Sequence, residues 1–246
     1  MPRPAGDSRQ KILDAALTEF AAHGFRGASV DAIARRARVN KAMIYYHFDN
    51  KVALYVEILQ GIFTPIADRT AAVAASGAAP EAKLAAFIDV FFALASAWPY
   101  MPRVMMLELA DGAKRLTPDT LRVMSRLFQN LNAILEEGWR AGVFRRADPL
   151  MIYFNLIAPL FFFVASAPIR DAMARHKIVD TGRVDAAAFV AHMKSVALRA
   201  LALEPADVAA AAAEPAAAAQ PAAPPRGSGR GGRRARRTAV RTGDDQ

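Results

Sequence analysis

Cysteine is absent from the 246 residues of this chain. Its absence excludes a disulfide framework, a thiol nucleophile and a cysteine-ligated zinc site, and it fits a reducing compartment. The first ten residues, MPRPAGDSRQ, also lack the apolar stretch of a secretory signal. We therefore expect a cytoplasmic protein.

The usual catalytic motifs are missing as well. The sequence contains no HExxH, no GxSxG, no CxxC and no glycine-rich phosphate loop. No two of its four histidines are four residues apart, and the adjacent Glu136 and Glu137 would point in different directions on a helix. We expect no enzyme, no cofactor and no metal site.

Strand-like alternation is the third absence, because apolar residues recur instead at helical spacing. We predict an all-α fold in which Gly24 ends the first helix, Ser29 and Asn40 cap the next two, and Thr117-Pro-Asp and Asp148-Pro149 start later helices. The predicted helices run from about Ser8 to His23, from Ser29 to a break near 37–39, Lys41 to His47, Asn50 towards Pro65, Pro80 to Pro99, Arg103 to Ala110, Thr117 to about Arg140, 148–167 and 185–202.

What is present includes an uneven distribution of positive charge. The net charge of +9 divides into +4 for residues 1–51, zero for 52–214 and +5 for 215–246. A basic excess that clusters in this way indicates contact with a polyanion, whereas an even spread would indicate only solubility.

One long apolar run, Leu150 to Ala167, has the composition of a membrane span. Spanning a bilayer takes roughly 20 residues, and Asn155, Pro159 and Ser166 interrupt this shorter run. We predict a helix buried in the core or at a subunit interface. A membrane-tethered factor is the alternative.

Residues 29–51 have the pattern of a helix-turn-helix, with two short helices on either side of a tight break. The start of the second helix could enter the major groove, where Lys41 would donate to a guanine or a phosphate and Ala42 and Met43 would touch thymine methyl groups. Other side chains and the amides behind Ser29 are suited to phosphates. The predicted DNA-binding residues are Ser29, Asn40, Lys41, Ala42, Met43, Tyr45, Tyr46, His47 and Lys51. Core packing is the alternative role for Tyr45 and Phe48.

The run from Arg9 to Leu54 resembles the DNA-binding signature of the TetR family, most specifically in YYHF followed by Asp-Asn-Lys at residues 45–51. The spacing of Gly138, Gly142, Arg145 and Asp148-Pro149 is also similar to that family. The resemblance implies a homodimer, a (pseudo)palindromic operator and a C-terminal domain that binds a small ligand. The sequence departs from the family at Ala28 and Ala42, so operator preference does not carry over.

The domains that we predict are a flexible arm at 1–7, a helix-turn-helix domain at 8–55, a helical ligand-binding and dimerisation domain at 56–204, and a disordered tail at 205–246. Helix 50–64 would connect the first two folded parts. The tail contains seven arginines. They would bind nucleic acid without sequence preference, or the tail would serve only as a solubilising extension.

The neutral body is rich in Phe and Met, which form a core and could also surround an apolar ligand. Candidate pocket residues are Phe91, Trp98, Met105, Glu108, Phe128, Asn132 and Asn155. If the family layout holds, helices 148–167 and 185–202 form a four-helix interface between two copies. The leading hypothesis is a repressor released by a largely apolar ligand, and the alternative is a constitutive dimeric DNA-binding protein without a ligand.

Overall fold

A computed structural model describes residues 5–98, 100–180 and 184–203, with side chains from Ser8 onwards. The predicted arm up to residue 4, Pro99 and the predicted tail lie outside the described residues. All regular structure in the described part is helical, which confirms the all-α prediction. The helices are α1 (Ala5–Gly27), α2 (Val30–Ala37), α3 (Lys41–His47), α4 (Lys51–Ala74), α5 (Pro80–Ala97), α6 (Met101–Ala110), α7 (Pro118–Arg140), α8 (Pro149–Ala165), α9 (Ala167–Arg175) and α10 (Ala186–Leu201).

The helix starts follow from short polar side chains that bind free backbone amides. Asn50, Thr117 and Asp148 accept hydrogen bonds from the first turns of α4, α7 and α8, and Asp185 does the same for α10. The predicted helix starts at Thr117 and Asp148 are thereby confirmed. Gly24 also interrupts α1 as predicted, because its φ of 68° lies in the left-handed region.

The predicted end of α4 near Pro65 is wrong, since the helix continues through that proline to Ala74. Proline removes one helical hydrogen bond, but packing against α7 holds the helix together beyond it. The Asn130 amide donates to the carbonyl oxygen of Ala67 and to the Thr70 hydroxyl, both at 2.9 Å. Arg126 forms an ion pair with Asp68. Tertiary contacts therefore outweigh the local cost of Pro65.

Helices α4, α5, α7, α8 and α10 pack around the core of the body. Helix α6 is the connecting element, because it packs against α1 on one side and against α8 on the other. The three helices α1 to α3 form a smaller unit around Ile12, Phe20, Ile33 and Ile44, all at most 1% exposed. Helix α1 of the small unit thus contacts both α4 and α6.

Helix α8 buries only one face in this single chain. Ile152, Leu156, Leu160 and Phe163 are buried, whereas Met151, Phe154 and Phe162 are each more than half exposed. The predicted helix 148–167 is also followed by α9, which the sequence pattern did not predict. No single helix in the described ranges is long and apolar enough to cross a bilayer. The pair α8 and α9 reaches that length only across a bend of 51°, and α5 with α6 only across one of 90°.

Candidate DNA-binding surface and apolar cavity

The turn between α2 and α3 is held by side-chain caps and one left-handed residue. The Ser29 hydroxyl accepts a hydrogen bond from the Ala32 amide, and the Asn40 side chain accepts one from the Ala42 amide, both at 3.0 Å. Arg38, with φ of 56°, closes α2. These contacts set the position at which α3 begins.

Two apolar side chains, one in α3 and one at its C-cap, pack into the core that α3 shares with α1 and α2, and the other face of α3 is left exposed. Ile44 is 1% exposed and Phe48 is 4% exposed, so Phe48 belongs to the core. Tyr45 and Tyr46 are 51% and 75% exposed, respectively. Tyrosines as exposed as these present their rings and hydroxyl groups to a partner or to solvent.

Lys41 stands at the start of this free face. Its ammonium group pairs with Asp31 at 3.0 Å, and the hydrogen bond with that carboxylate raises the pKa of Lys41. Ala42 beside Lys41 is exposed and Met43 is half-buried.

His47 and Lys51 are less exposed than Tyr45 and Tyr46. His47 is half-buried, and its Nε2 lies 2.9 Å from the Ser8 hydroxyl on α1. The Lys51 ammonium lies 4.5 Å from the ring centre of Phe25, where burial and the nearby Arg115 lower its pKa. Among the predicted DNA-binding residues of α3, Lys41, Ala42, Tyr45 and Tyr46 are thus exposed, whereas Lys51 lies at the junction with the body.

That junction contains a buried polar cluster that the sequence did not reveal. Glu108 is 1% exposed. Its carboxylate accepts hydrogen bonds from the Tyr55 hydroxyl at 3.0 Å, from the Arg115 amide at 2.8 Å and from the Arg115 guanidinium at 2.9 Å. Burial and the adjacent Glu108 raise the pKa of Tyr55. Residues 53 positions apart meet here, so no local pattern could have indicated the cluster.

The body contains an apolar cavity of about 410 Å³. Phe91 and Met105 from the predicted pocket lie in its wall. The lining residues are Phe63, Phe91, Met101, Met105, Met106, Leu109, Met124, Leu127, Tyr153, Phe154, Ile157, Ala158, Phe161 and Phe162. Tyr153 alone in this lining carries a side-chain polar atom, and burial raises the pKa of its hydroxyl.

The other five predicted pocket residues lie elsewhere. Glu108 belongs to the junction, Trp98 lines a groove between α1 and α4, and Asn132 lies in a crevice beside Trp139. Phe128 packs against the Tyr153 ring at 5.9 Å from outside the lining, and Asn155 is exposed. The methionines spaced along α6 were the signal in the sequence that could have indicated more of the wall.

Comparison with known proteins agrees with this arrangement. Residues 12–58 match a family model described as bacterial regulatory proteins, tetR family, and residues 80–192 match one described as tetracyclin repressor-like, C-terminal domain. The chain is 28% identical over 200 residues to the HTH-type transcriptional repressor NicS of Pseudomonas putida, covering 80% of this chain and 93% of that protein. It is 27% identical over 172 residues to the HTH-type transcriptional regulator RutR of Escherichia coli, covering 70% and 80%.

A solved structure of the fatty acid degradation regulator FadR from Bacillus halodurans has the same fold. Its TM-score is 0.62 at 23% identity, covering 80% of this chain and 96% of that one. The two family models together span more than half of the chain; the first ends within α4 and the second begins at the start of α5. The chain is therefore a member of the TetR family of DNA-binding transcriptional regulators.

Proposed function

We propose that this regulator is a homodimeric repressor, released from a (pseudo)palindromic operator by a small, largely apolar ligand. The start of α3 would enter the major groove, with Lys41, Ala42 and Met43 against base edges. Ser29, Asn40, Tyr45, Tyr46, His47 and Lys51 would contact phosphates and fix the register. Only the exposed face of α3 is free for such contacts, because Ile44 and Phe48 attach the opposite face to the core.

The two-sided packing of α6 is the observation that supports ligand release. Met101, Met105, Met106 and Leu109 of α6 line the apolar cavity. The other side of the same short helix meets α1, where Leu107 lies beside Gly24. A ligand that widens the cavity would therefore displace a helix on which the DNA-binding unit rests.

The buried junction would connect that displacement to Lys51, one of the proposed DNA-binding residues. Glu108 of α6 holds Arg115 by two hydrogen bonds, and the Arg115 guanidinium carbon lies 4.3 Å from the ring centre of Phe25. The same ring carries the Lys51 ammonium at 4.5 Å. Movement of α6 would thus reach Lys51 through contacts between packed side chains.

The exposed apolar surface of α8 and α10 supports the dimer. Met151 on α8 is 61% exposed and Val196 on α10 is 39% exposed. Burying such side chains against a second copy would stabilise the dimer by roughly 25 cal/mol for each Å² of apolar surface removed from water. Two copies would present two α3 helices to half-sites about 34–36 Å apart.

The DNA-binding surface is tested by a mobility shift with duplex from the intergenic region upstream of its own gene, against scrambled competitor at fixed salt. We expect the double variant Tyr45→Ala/Lys51→Ala to lose specific binding, because both side chains would contact phosphates. The matched control is Leu121→Ala, an exposed residue on α7. Equal retardation of scrambled duplex by the wild type would contradict a specific operator at that site.

Ligand release is tested with Nile red, an uncharged apolar dye that becomes fluorescent in apolar surroundings. We expect saturable dye binding that is lost in Met124→Trp, which places a larger side chain in the cavity wall on α7, and that weakens when operator duplex is added. The second effect follows from linkage, because a ligand that lowers operator affinity must itself bind the DNA-bound protein less tightly. Dye binding that operator leaves unchanged would instead favour the constitutive DNA-binding protein.

A further inference from the structure

A second hollow lies between α1 and α4, outside the apolar cavity. It is a groove of about 470 Å³ and shares no lining residue with that cavity. Trp98, which follows the last turn of α5, also lines it. The lining residues are Arg9, Gln10, Leu13, Asp14, Leu17, Glu57, Ile58, Gln60, Gly61, Thr64, Pro65 and Trp98.

The wall of this groove contains a backbone acceptor without its regular helical donor. In an α-helix the amide of residue 65 would donate to the carbonyl oxygen of residue 61, but Pro65 has no N–H. Gly61 has no side chain, and a Cβ built on it meets no atom within 4 Å. The α4 backbone is therefore open to the groove at the turn where one carbonyl oxygen lacks its donor.

The charges around the groove leave an excess of one negative charge. Arg9 forms an ion pair with Glu57, and its guanidinium carbon lies 5.3 Å from the ring centre of Phe48, so it is engaged on both sides. Asp14 accepts a hydrogen bond at 2.9 Å from the Gln10 side chain, which carries no charge to neutralise it. Arg9, Glu57 and Asp14 are the charged residues among those that line the groove.

The rest of the surface is suited to a flat apolar group. Leu13, Leu17, Ile58 and Pro65 provide an aliphatic wall, and the half-buried Trp98 provides an aromatic face. Tryptophan is the side chain that attracts cations most strongly through its ring. An acceptor carbonyl, an excess carboxylate and an indole ring all favour the same kind of ligand, a cation with N–H donors.

We propose that the groove between α1 and α4 is a second ligand site, which binds a protonated amine attached to a flat apolar group. The ammonium would donate to the Gly61 carbonyl oxygen and pair with Asp14, and the apolar group would lie against Trp98 and Leu17. Because α1 belongs to the DNA-binding unit and α4 connects it to the body, an occupant would act on the angle between them.

The test is isothermal titration calorimetry of the full chain, without DNA, using 2-phenylethylamine as the probe. The matched controls are 2-phenylethanol, which is neutral, and 3-phenylpropionate, which is an anion of similar size. We expect saturable binding of the amine and much weaker binding of both controls. No saturation by the amine up to millimolar concentration, or equal binding of the anion, would overturn the proposal.

Two variants then locate the amine. Pro65→Ala supplies the missing amide to the Gly61 carbonyl oxygen, so we expect binding about tenfold weaker, as for the loss of one hydrogen bond to a charged group. Pro159→Ala is the matched control, because it restores a helical amide in α8 away from the groove. Gly61→Leu places a side chain in the open space and should abolish binding, with helix content by circular dichroism as the folding check.

Unchanged amine affinity in both Pro65→Ala and Gly61→Leu would mean that the amine binds elsewhere and would overturn the site. An equal loss in Pro159→Ala would do the same. These measurements involve neither operator DNA nor Nile red. Their failure therefore leaves the proposed ligand-released repressor standing, and failure of that proposal leaves the groove site intact.

Discussion

At the scale of single residues, two glycines inside helices have opposite surroundings. A Cβ at Gly138 in α7 would lie 2.1 Å from Cδ2 of Phe144, which is itself buried. The Gly138 carbonyl oxygen also accepts hydrogen bonds from Val143 and Phe144. Gly61 in α4 faces open space. The same substitution should therefore have opposite effects at the two positions.

We expect Gly138→Ala to lower the free energy of unfolding by about 1–3 kcal/mol, because Phe144 must leave its position to admit the methyl group. Gly61→Ala should raise it by roughly 0.5–1 kcal/mol, because alanine loses less backbone entropy in a helix. Urea denaturation followed by circular dichroism measures both values. A change of the same sign at both sites would contradict this account.

At the scale of elements, N-cap side chains fix the residue at which a helix begins. Helix α3 has seven residues, and its start depends on the Asn40 cap. Helix α10 is longer and has an equivalent cap at Asp185, whose side chain accepts from the Ala188 amide at 2.7 Å. Both caps accept a hydrogen bond from an amide in the first turn of their helix, but α3 belongs to the DNA-binding unit and α10 to the body.

We expect Asn40→Ala and Asp185→Ala each to cost about 1 kcal/mol of folding free energy. Only Asn40→Ala should also weaken operator binding, because it loosens the first turn of α3, which we place in the major groove. Denaturation and mobility-shift titrations of both variants measure the two effects. Equal loss of operator affinity in the two variants would show that the effect is global destabilisation.

At the scale of the whole molecule, apolar side chains remain exposed where the family layout places a partner. Met151 and Val196 carry such surface on α8 and α10, and neither lines the cavity. Leu121 on α7 is 48% exposed and provides a comparable control away from that surface. Introducing charge at the proposed interface should separate the two copies without changing the side chains that line the cavity.

We expect Met151→Asp/Val196→Asp to convert a dimer into a monomer of 26.5 kDa in sedimentation experiments. Operator affinity should fall by about a hundredfold, because a monomer binds only one half-site and loses the effective concentration of the second. Leu121→Asp should leave both properties unchanged. A double variant that sediments as the wild type would exclude these two residues from the interface.

The features that could be predicted from the sequence are local ones. The helix starts at Ser29, Asn40 and Thr117 depend on side chains within a few residues of the backbone amides that they bind. The break at Gly24 depends on the freedom of glycine to adopt a positive φ. The passage of α4 through Pro65 could not be predicted in this way, because α7 supplies the contacts that hold it. Helix α9 was also not predicted, and none of its residues is buried in the described part of the chain.

The amino-acid sequence by itself determined the helical class, the helix starts and the DNA-binding signature, because each depends on spacing along the chain. Only the tertiary structure decided which side chains share a cavity, a junction or a groove. Glu108 and Trp98 were both predicted to line the pocket, yet one is held by Tyr55 and Arg115 and the other lies beside α1. Helical periodicity shows that a side chain is buried, but the packing of helices distant in sequence decides what it is buried against.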